Sequence, residues 1–414
     1  MVTRTIGAVP TSADAVVIGA GAFGFSTAYH LAAMGAGQVV LLDQYEPGTQ
    51  VSPKAAGLFK MIQSTETNTR LCSLSRTIVT TFARETGVAM PYEASGSLFV
   101  GRKPGHARMI DAEVENARRW GVDIDLVNGA DVRGLCPFIE SDGVVAAYFV
   151  PDDFYIEEPR SMLMAYWQAG LTRGMQVFGH NPAIGLTVKD ARIAGVSTTN
   201  GFIETETVVD CAGIWSRSVA RMAGTDVLVQ PVRHQLRISE PIDGIDAGMP
   251  IVRITDASAY VRPARGGLMY GGFEADPLPM PVVPEDRFTV DMVELDPDIP
   301  EQFRQSIEGS IPALRSISIQ EDRGGVFTMT ADGRLMVGPI ETVHGFWVAT
   351  GCNGSGFSLA SAVGRCLAEW ITDGEPSIDL SDLAPDRFEG QSIGADELES
   401  RSRWHYANYY TPQA

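Results

Sequence analysis

The sequence predicts an α/β fold in two interleaved domains, one built on a parallel sheet and one a mostly antiparallel β-sheet plus helices (α+β). Three observations predict it. Residues 14–43 read as strand, tight glycine turn, helix and strand, a βαβ unit whose crossover should be right-handed. A second strand, glycine-rich turn and helix occupy 345–371, as GFWVATGCNGSGFSLASAVGRCLAEWI. Between them lie short strand-like segments separated by turn residues. The simplest arrangement brings both glycine turns to one edge of a single parallel sheet, with the β-rich insertions forming a separate lid or substrate domain.

The elements follow in order. DAVVIG (14–19) is the first buried strand, Ala22 to Met34 a helix ended by Gly35 and Gly37, and QVVLLD (38–43) the next strand. A loop rich in Gly, Pro and Ser fills 44–60. A helix is expected from Thr69 to Thr86, with Leu71, Leu74, Ile78 and Phe82 on one face. GSLFV (96–100) reads as a strand and His106–Trp120 as a more polar helix. After Pro151 come a helix near Arg160–Arg173, short strands in TVKDARIAGVSTTNG (187–201), and the apolar strand ETVVDCAG (206–213). VRHQLRIS, SAYVRPA and GLMYGGF are strand-like, and 300–308 is helical. Beyond Asp373 the chain reads as polar and loop-like, closing on the aromatic tail WHYANYYTPQA.

Composition narrows the function class. A length of 414 residues suits two packed domains, and 44% hydrophobic with 20% charged residues is ordinary for a globular protein. The net charge of −19, with no basic cluster, repels phosphate backbones and anionic lipid, so neither nucleic acid nor a membrane is an expected partner. Cys72, Cys136, Cys211, Cys352 and Cys366 are odd in number and widely spaced without a CxxC. They read as reduced thiols of a cytoplasmic protein, with no disulfide framework and no metal site. The stretch from Ala15 to Leu42 is broken by glycines and polar residues and is not a membrane span.

The first turn, Gly19-Ala20-Gly21-Ala22-Phe23-Gly24, is a full GxGxxG between a strand and a helix. Gly19 permits the tight turn, Gly21 lets backbone approach a pyrophosphate, and Gly24 allows close helix–strand packing. The helix behind it points N–H groups and a partial positive charge at the phosphates. Asp43, at the end of the second strand, is placed to accept ribose hydroxyls and to repel a 2′-phosphate. These features predict a dinucleotide. A nicotinamide dehydrogenase would continue with further regular βα units. The long β insertion and late glycine turn instead suit a buried FAD clasped from two distant points. The fold class is therefore a Rossmann-type FAD-binding domain (13–89, 151–226 and 327–385), an interleaved substrate domain (90–150 and 227–326), and a tail (386–414).

Five ordered segments, DAVVIGAGAFGFSTAYHLA, VVDCAGIWS, SAYVRPARGGLMYGG, TADGRLMVGP and GFWVATGCNGSGFSLASAVG, give the chain across 13–385 a further identity. It resembles the D-amino-acid oxidase-like FAD family that includes glycine oxidase, sarcosine oxidase and dimethylglycine dehydrogenase. It looks closest to the dimethylglycine dehydrogenase and oxidase branch. The resemblance implies FAD and oxidation of a small amine or amino acid by hydride transfer to flavin N5. It puts Lys54, in Ser52-Pro53-Lys54-Ala55-Ala56-Gly57, where that branch carries a flavin-linking histidine. No cysteine lies in GGVFTMTADG (324–333), where monomeric sarcosine oxidases attach theirs. Noncovalent FAD is the expectation.

His234 and Tyr260 match the branch's active-site histidine and tyrosine. A histidine there can accept the amine proton and free the lone pair, and a tyrosine hydroxyl can orient the substrate. Arg262, Arg233 and Arg265 are candidate carboxylate clamps. Ser358 stands where sarcosine oxidases hold the substrate carboxylate with lysine, and Met269 where they hold a lysine over the flavin. Gly351, Asn353, Gly354, Ser355 and Gly356 are expected against the N1/C2 edge of the ring. Ala212, Gly213 and Trp215 are expected to close the sheet edge over the cofactor, and Gln44 and Ala183 to complete its contacts.

The leading reading is thus an amine oxidoreductase using oxygen or an electron-carrier protein as acceptor. Two others compete: a β-type FAD subunit of a hetero-oligomeric sarcosine- or opine-oxidase-like assembly, and a noncatalytic binder of FAD or NAD.

Overall fold

The computed structural model describes residues 8–283 and 287–411, so Pro412–Ala414 of the aromatic tail lie outside the described residues. A six-stranded sheet runs in the order Met336–Pro339, Phe346–Thr350, Val208–Asp210, Ala15–Ile18, Val39–Leu42, Gln176–Phe178. All its pairings are parallel except that of the outermost strand Met336–Pro339. Four consecutive apolar residues in Ala15–Ile18 and in Val39–Leu42 are all buried, as a sheet covered on both faces requires.

Two helices pack side by side on one face, Ala22–Ala33 after the first turn and Gly356–Asp373 after the late turn. Their approach depends on Gly364, where an added Cβ would lie 2.3 Å from Ser26 Oγ and 2.5 Å from the Thr27 nitrogen. Gly24 is tighter still, since a Cβ there would sit 1.7 Å from the Gly19 carbonyl oxygen.

The second sheet has eight strands, in the order Ile319–Thr330, Val229–Ser239, Gly267–Gly272, Ala259–Ala264, Ile251–Ile254, Ser97–Gly101, Ala146–Val150, Asp125–Val127. It is antiparallel apart from the pair Ile251–Ile254 and Ser97–Gly101. One face is covered by the helix Asp298–Ile307, with Phe303, Ile307 and Leu314 packed on Val252, Val261 and Tyr270. The other face looks toward the glycine turns. Every residue of Val229–Ser239 is buried, so this strand has cover on both sides. The strand Ile319–Thr330 runs straight through 326/327, where the sequence suggested a domain boundary.

Three strands, Ala183–Lys189, Arg192–Thr198 and Gly201–Glu204, form a separate antiparallel sheet that overlaps the expected 187–201 region and extends beyond it at both ends. The helix expected from Thr69 spans Glu66–Thr86, because Thr65 caps it by accepting from the Asn68 amide. The short helices Gly129–Leu135 and Ser216–Met222 were not expected.

The tail corrects the sequence reading. Residues beyond 373 are not loop-like throughout, since Ala395–Ala407 is a helix. Its buried stripe is Leu398, Ser402 and Tyr406, four residues apart, and a serine in the middle hides that stripe from an apolar count.

Gly364→Ala is expected to destabilise the protein by about 1–3 kcal/mol, the usual cost of forcing atoms into a packed core. Urea denaturation checks it, and an unchanged midpoint would show that the two helices can separate freely.

Candidate active site

Both glycine turns open into one cavity between the two sheets. From the first turn Gly19, Gly21, Ala22 and Phe23 line it, and from the end of the second strand Asp43 and Gln44. The helix Ala22–Ala33 has Gly21 as its N-cap and no side-chain cap, which leaves N–H donors for a ligand. Ser52 Oγ accepts from the Ala22 amide at 3.0 Å and so ties the 52–57 loop to the turn. A Cβ on Gly21 would come within 3.2 Å of that oxygen. Asp43 ties the same turn from the other side. Its Oδ2 accepts from the Ala20 amide and its Oδ1 from the Tyr45 amide, each at 2.7 Å. Burial pushes the Asp43 carboxyl up to about 6, against the pull of those two N–H groups.

Ser52, Lys54, Ala55, Ala56 and Gly57 line the next stretch, with Ala183, Ala212, Gly213 and Trp215 across from them. Gly213 has φ +60 and would place a Cβ in open space, so bare backbone faces the cavity there. Lys54 Nζ pairs with Asp291 at 2.6 Å. At the late turn Gly354, Ser355, Gly356 and Ser358 line the cavity. The helix Gly356–Asp373 again has no side-chain cap at Ser355. Two helix starts whose own N-cap residues lend no side chain, bare backbone at Gly21 and Gly213, and a ribose-type acceptor at Asp43 fit the polar set that a dinucleotide requires.

The substrate end lies on the face of the eight-stranded sheet that looks into the cavity. His234 is 6% exposed and is held between two tyrosines, with Nε2 2.9 Å from Tyr260 Oη and Nδ1 2.7 Å from Tyr406 Oη. Phe327 stacks on the imidazole at 4.3 Å and Phe273 lies at 5.3 Å. Burial in this aromatic nest pulls the His234 pKa down to about 3, so the ring is neutral near pH 7. Burial pushes both phenols upward, so they keep their protons. A neutral imidazole donates one hydrogen bond and accepts the other, so the three groups form one proton-sharing chain.

Tyr260 reaches His234 because of a glycine. Tyr260 pairs with Gly271 on the neighbouring strand, and Gly271 pairs in turn with Leu236. A Cβ on Gly271 would stand 2.7 Å from Tyr260 Oη and 3.0 Å from Leu236 Cβ. The phenol therefore lies flat across Gly271 to the strand beyond. Gly272, next in line, clears the opposite face, where a Cβ would meet Phe303 at 2.5 Å.

Not every expected residue reaches the cavity. Gly24, Gly351 and Asn353 lie behind it. Asn353 shapes the late turn from below, accepting from the Thr330 amide at 2.9 Å and donating to the Gly351 carbonyl at 2.6 Å.

Arg262 is a correction. It shares a face with Tyr260 but is fully buried outside the cavity lining. Its donors go to the Ala56, Pro263 and Glu157 carbonyls, and its guanidinium sits 4.5 Å over the Tyr155 ring. Arg233 donates to the Glu294 carbonyl, Arg265 pairs with Glu158 and Glu321, and Met269 packs with Leu236, Ile238 and Ala264; none lines the cavity. Ser358 does line it, but its hydroxyl donates to the Ser355 carbonyl at 2.9 Å.

Sequence reasoning passed over Lys60, Arg253, Phe273, Arg323, Phe327, Tyr409 and Tyr410, all of which line the cavity, and Tyr406 behind His234. Tyr409 stacks on Phe273 at 4.1 Å and hydrogen-bonds Ser355 at 2.9 Å. The cluster of aromatics in the tail was the available signal.

Comparison with known proteins adds the following. The profile of the family described as FAD dependent oxidoreductase (DAO) matches residues 14–370. The chain is 30% identical over 413 residues to the mitochondrial sarcosine dehydrogenase of Mus musculus, covering 97% of this chain and 44% of that protein. It is 30% identical over 398 residues to 4-methylaminobutanoate oxidase (formaldehyde-forming) of Paenarthrobacter nicotinovorans, covering 95% and 48%. The chain thus spans about half the length of these curated relatives. Among solved structures, L-proline dehydrogenase from P. horikoshii superposes with a TM-score of 0.84 at 24% identity, over 92% of this chain and 99% of that one, a likeness of fold. No described helix is long and apolar enough to cross a membrane.

Two outcomes are expected. Ribose hydroxyls favour ionised Asp43, so binding of FAD to the apoprotein expels its proton. Affinity should then rise between about pH 5 and about pH 7 and level off above. Asp43→Asn should flatten that profile and weaken binding about 10- to 100-fold; a slope retained in the variant would assign it to another group. Gly271→Ala should break the Tyr260–His234 hydrogen bond and shift the His234 ring nitrogen resonances as Tyr260→Phe does. A shift in the tyrosine variant alone would mean that the phenol does not depend on Gly271.

Proposed function

The chain belongs to the DAO family of FAD-dependent oxidoreductases, and on that premise we propose that it oxidises a carbon–nitrogen bond in a small secondary or tertiary amine, an N-methyl amino acid or a close analogue. The observation that carries this reading is the Tyr260–His234 contact at 2.9 Å inside the cavity that the two glycine turns share. The names of the two curated relatives, a sarcosine dehydrogenase and a formaldehyde-forming 4-methylaminobutanoate oxidase, point to N-methyl amines as well. Bound FAD supplies the hydride acceptor at flavin N5.

The chain's own residues do the rest. Gly21, Ala22 and Ser52 hold the pyrophosphate side, Asp43 the ribose, and the 354–358 turn the ring. Both nitrogens of His234 are already engaged, so the amine meets the Tyr260 hydroxyl first. As the amine proton moves to Tyr260 Oη, the phenol passes its own proton to Nε2 of His234. The nitrogen lone pair then expels hydride from the adjacent carbon. Because burial disfavours the imidazolium, the proton does not rest there; it returns through Tyr260 Oη and leaves with the acceptor when the enzyme is reoxidised. Phe273, Phe327 and Tyr409 keep water from the reacting carbon. The resulting iminium takes up water and splits into an aldehyde or oxoacid and an amine, which for an N-methyl substrate means formaldehyde and the demethylated product. Lys54 offers no histidyl link, so noncovalent FAD belongs to the same proposal. The acceptor that reoxidises the enzyme is oxygen or a carrier protein.

Anaerobic mixing of the yellow protein with sarcosine, N,N-dimethylglycine, 4-methylaminobutanoate and proline tests it. At least one should bleach the flavin bands, with His234→Asn slowing bleaching about 100-fold or more. Flavin that dithionite reduces but no amine does would sink the proposal.

A further inference from the structure

The tail, beyond the 14–370 matched by the family profile, puts an aromatic ring into the cavity. Tyr409 lies just past the helix Ala395–Ala407, and its neighbours Tyr406 and Tyr410 are both buried and anchor the backbone around it. Its ring stacks on Phe273 at 4.1 Å with 6° between the planes, and Tyr410 meets it edge-on at 5.2 Å. The hydroxyl is tied as well. Gln63 Nε2 donates to the Lys60 carbonyl, which turns Gln63 Oε1 toward Ser355. The Ser355 proton goes to that oxygen at 3.3 Å, so Tyr409 donates to Ser355 Oγ at 2.9 Å. A ring held by a stack, an edge contact and a hydrogen bond is a fixed wall rather than a loose flap.

That wall stands at the late turn. Gly354, with φ +82, would place a Cβ 3.3 Å from Tyr409 Cε2, 3.4 Å from Phe273 Cε1 and 3.4 Å from Phe327 Cε2. Three ring edges from three parts of the chain thus converge on the turn that opens into the cavity. Phe273 and Phe327 also flank His234, with ring centroids 5.3 and 4.3 Å away. The rings of His234, Phe273 and Tyr409 therefore form a row that leads from the chemistry to the tail. A carbon attached to a nitrogen seated at Tyr260 meets ring edges in that direction.

Resting on the amine-oxidation reading above, we infer that Tyr409 is a specificity-determining residue: its ring closes the space for the carbon that gives up hydride and limits that carbon to a methyl group. An N-ethyl or N-propyl group would have to displace a ring stacked on one side and tethered on the other. One added methylene against a fixed apolar wall costs about 10-fold or more in rate. The reaction balances whichever alkyl group enters. Hydride goes to bound FAD, water adds to the iminium, and the alkyl carbon leaves as an aldehyde beside the dealkylated amine. The size of the aldehyde thus reports which carbon was admitted. Phe273 and Phe327 lean on His234 itself, whereas Tyr409 is one ring farther out, so trimming it probes the wall most directly.

The test uses the FAD-loaded protein with the N-methyl, N-ethyl and N-propyl forms of glycine and 4-aminobutanoate. Anaerobic bleaching of the flavin gives the rates, and the aldehyde released is identified. The wild-type protein should prefer methyl over ethyl about 10-fold or more and release formaldehyde. Tyr409→Ala should raise the ethyl-to-methyl and propyl-to-methyl ratios about 10-fold or more, with acetaldehyde and propanal as products. Tyr409→Phe keeps the ring, loses the tether, and should retain the wild-type order of the three alkyl groups. Trp404→Ala, on the exposed side of the same helix, should leave the ratios as they are. If Tyr409→Ala does not fold, Tyr409→Leu replaces it, with the ratios rising about threefold or more. Unchanged ratios on trimming Tyr409, or ratios relaxed equally in Trp404→Ala, would overturn the wall while leaving amine oxidation intact. If no N-alkyl amine bleaches the flavin, the amine reading itself fails, and calorimetry with benzyl alcohol still judges the wall. The space opened by the trimmed variant should take up that ring about 10-fold more tightly than the wild-type protein does, and equal affinity would overturn the inference.

Discussion

The close packing of the helices Ala22–Ala33 and Gly356–Asp373 is the constraint from which the remaining geometry follows. Each helix begins at a glycine turn, and each turn sits at the same edge of the parallel sheet because the helices behind them touch at Gly364. Side-chain-free backbone is what permits the contact. Once the two starts are fixed side by side, both open on a common space, and a long, doubly anionic ligand with an electron-accepting ring is the shape that space suits. Separating the helices would leave two ordinary turns.

The antiparallel sheet supplies the other wall through its pleat. Alternate residues face the cavity, so Arg253 and Tyr260 come from neighbouring strands and His234 from a strand farther along. None of these side chains needs a loop to place it. The helix Ala395–Ala407 then brings Tyr406 against the far nitrogen of His234, and Tyr409 follows against Phe273. The imidazole is thereby held in one orientation by hydrogen bonds at both ends and by rings on its faces, a degree of preorganisation that a solvent-exposed histidine lacks.

What could be read from the sequence was whatever local chemistry dictates. The Gly19–Gly24 turn, Asp43, the loop around Lys54 and the late glycine turn are short segments whose residue types answer to backbone geometry, and the βα pattern around them is periodic. The arginines were illegible because positive charge does not tell which carbonyls or carboxylates lie within reach. Arg262 has the same strand parity as Tyr260, yet the Ala56, Pro263 and Glu157 carbonyls consume it. Arg253, two residues from the start of a short strand, carries no signal until that strand's register is known. The tail helix was hidden because its inward stripe alternates leucine, serine and tyrosine. Tertiary contacts decide all three cases, and a single sequence does not contain them.

The adjacent glycines 271 and 272 act in opposite directions through one strand. One removes bulk beneath the Tyr260 ring, and the other removes it beneath Phe303 on the helix side. The sheet is locally thinned from both surfaces, which lets an aromatic ring settle into each. The reach of the phenol toward the imidazole is therefore set by how thick the wall is at that point. Lateral slippage of this strand by a single residue would bring either Tyr270 beneath the Tyr260 ring or Phe273 beneath Phe303, so a misregistered protein would lose either the phenol's path to the imidazole or the seat of the helix.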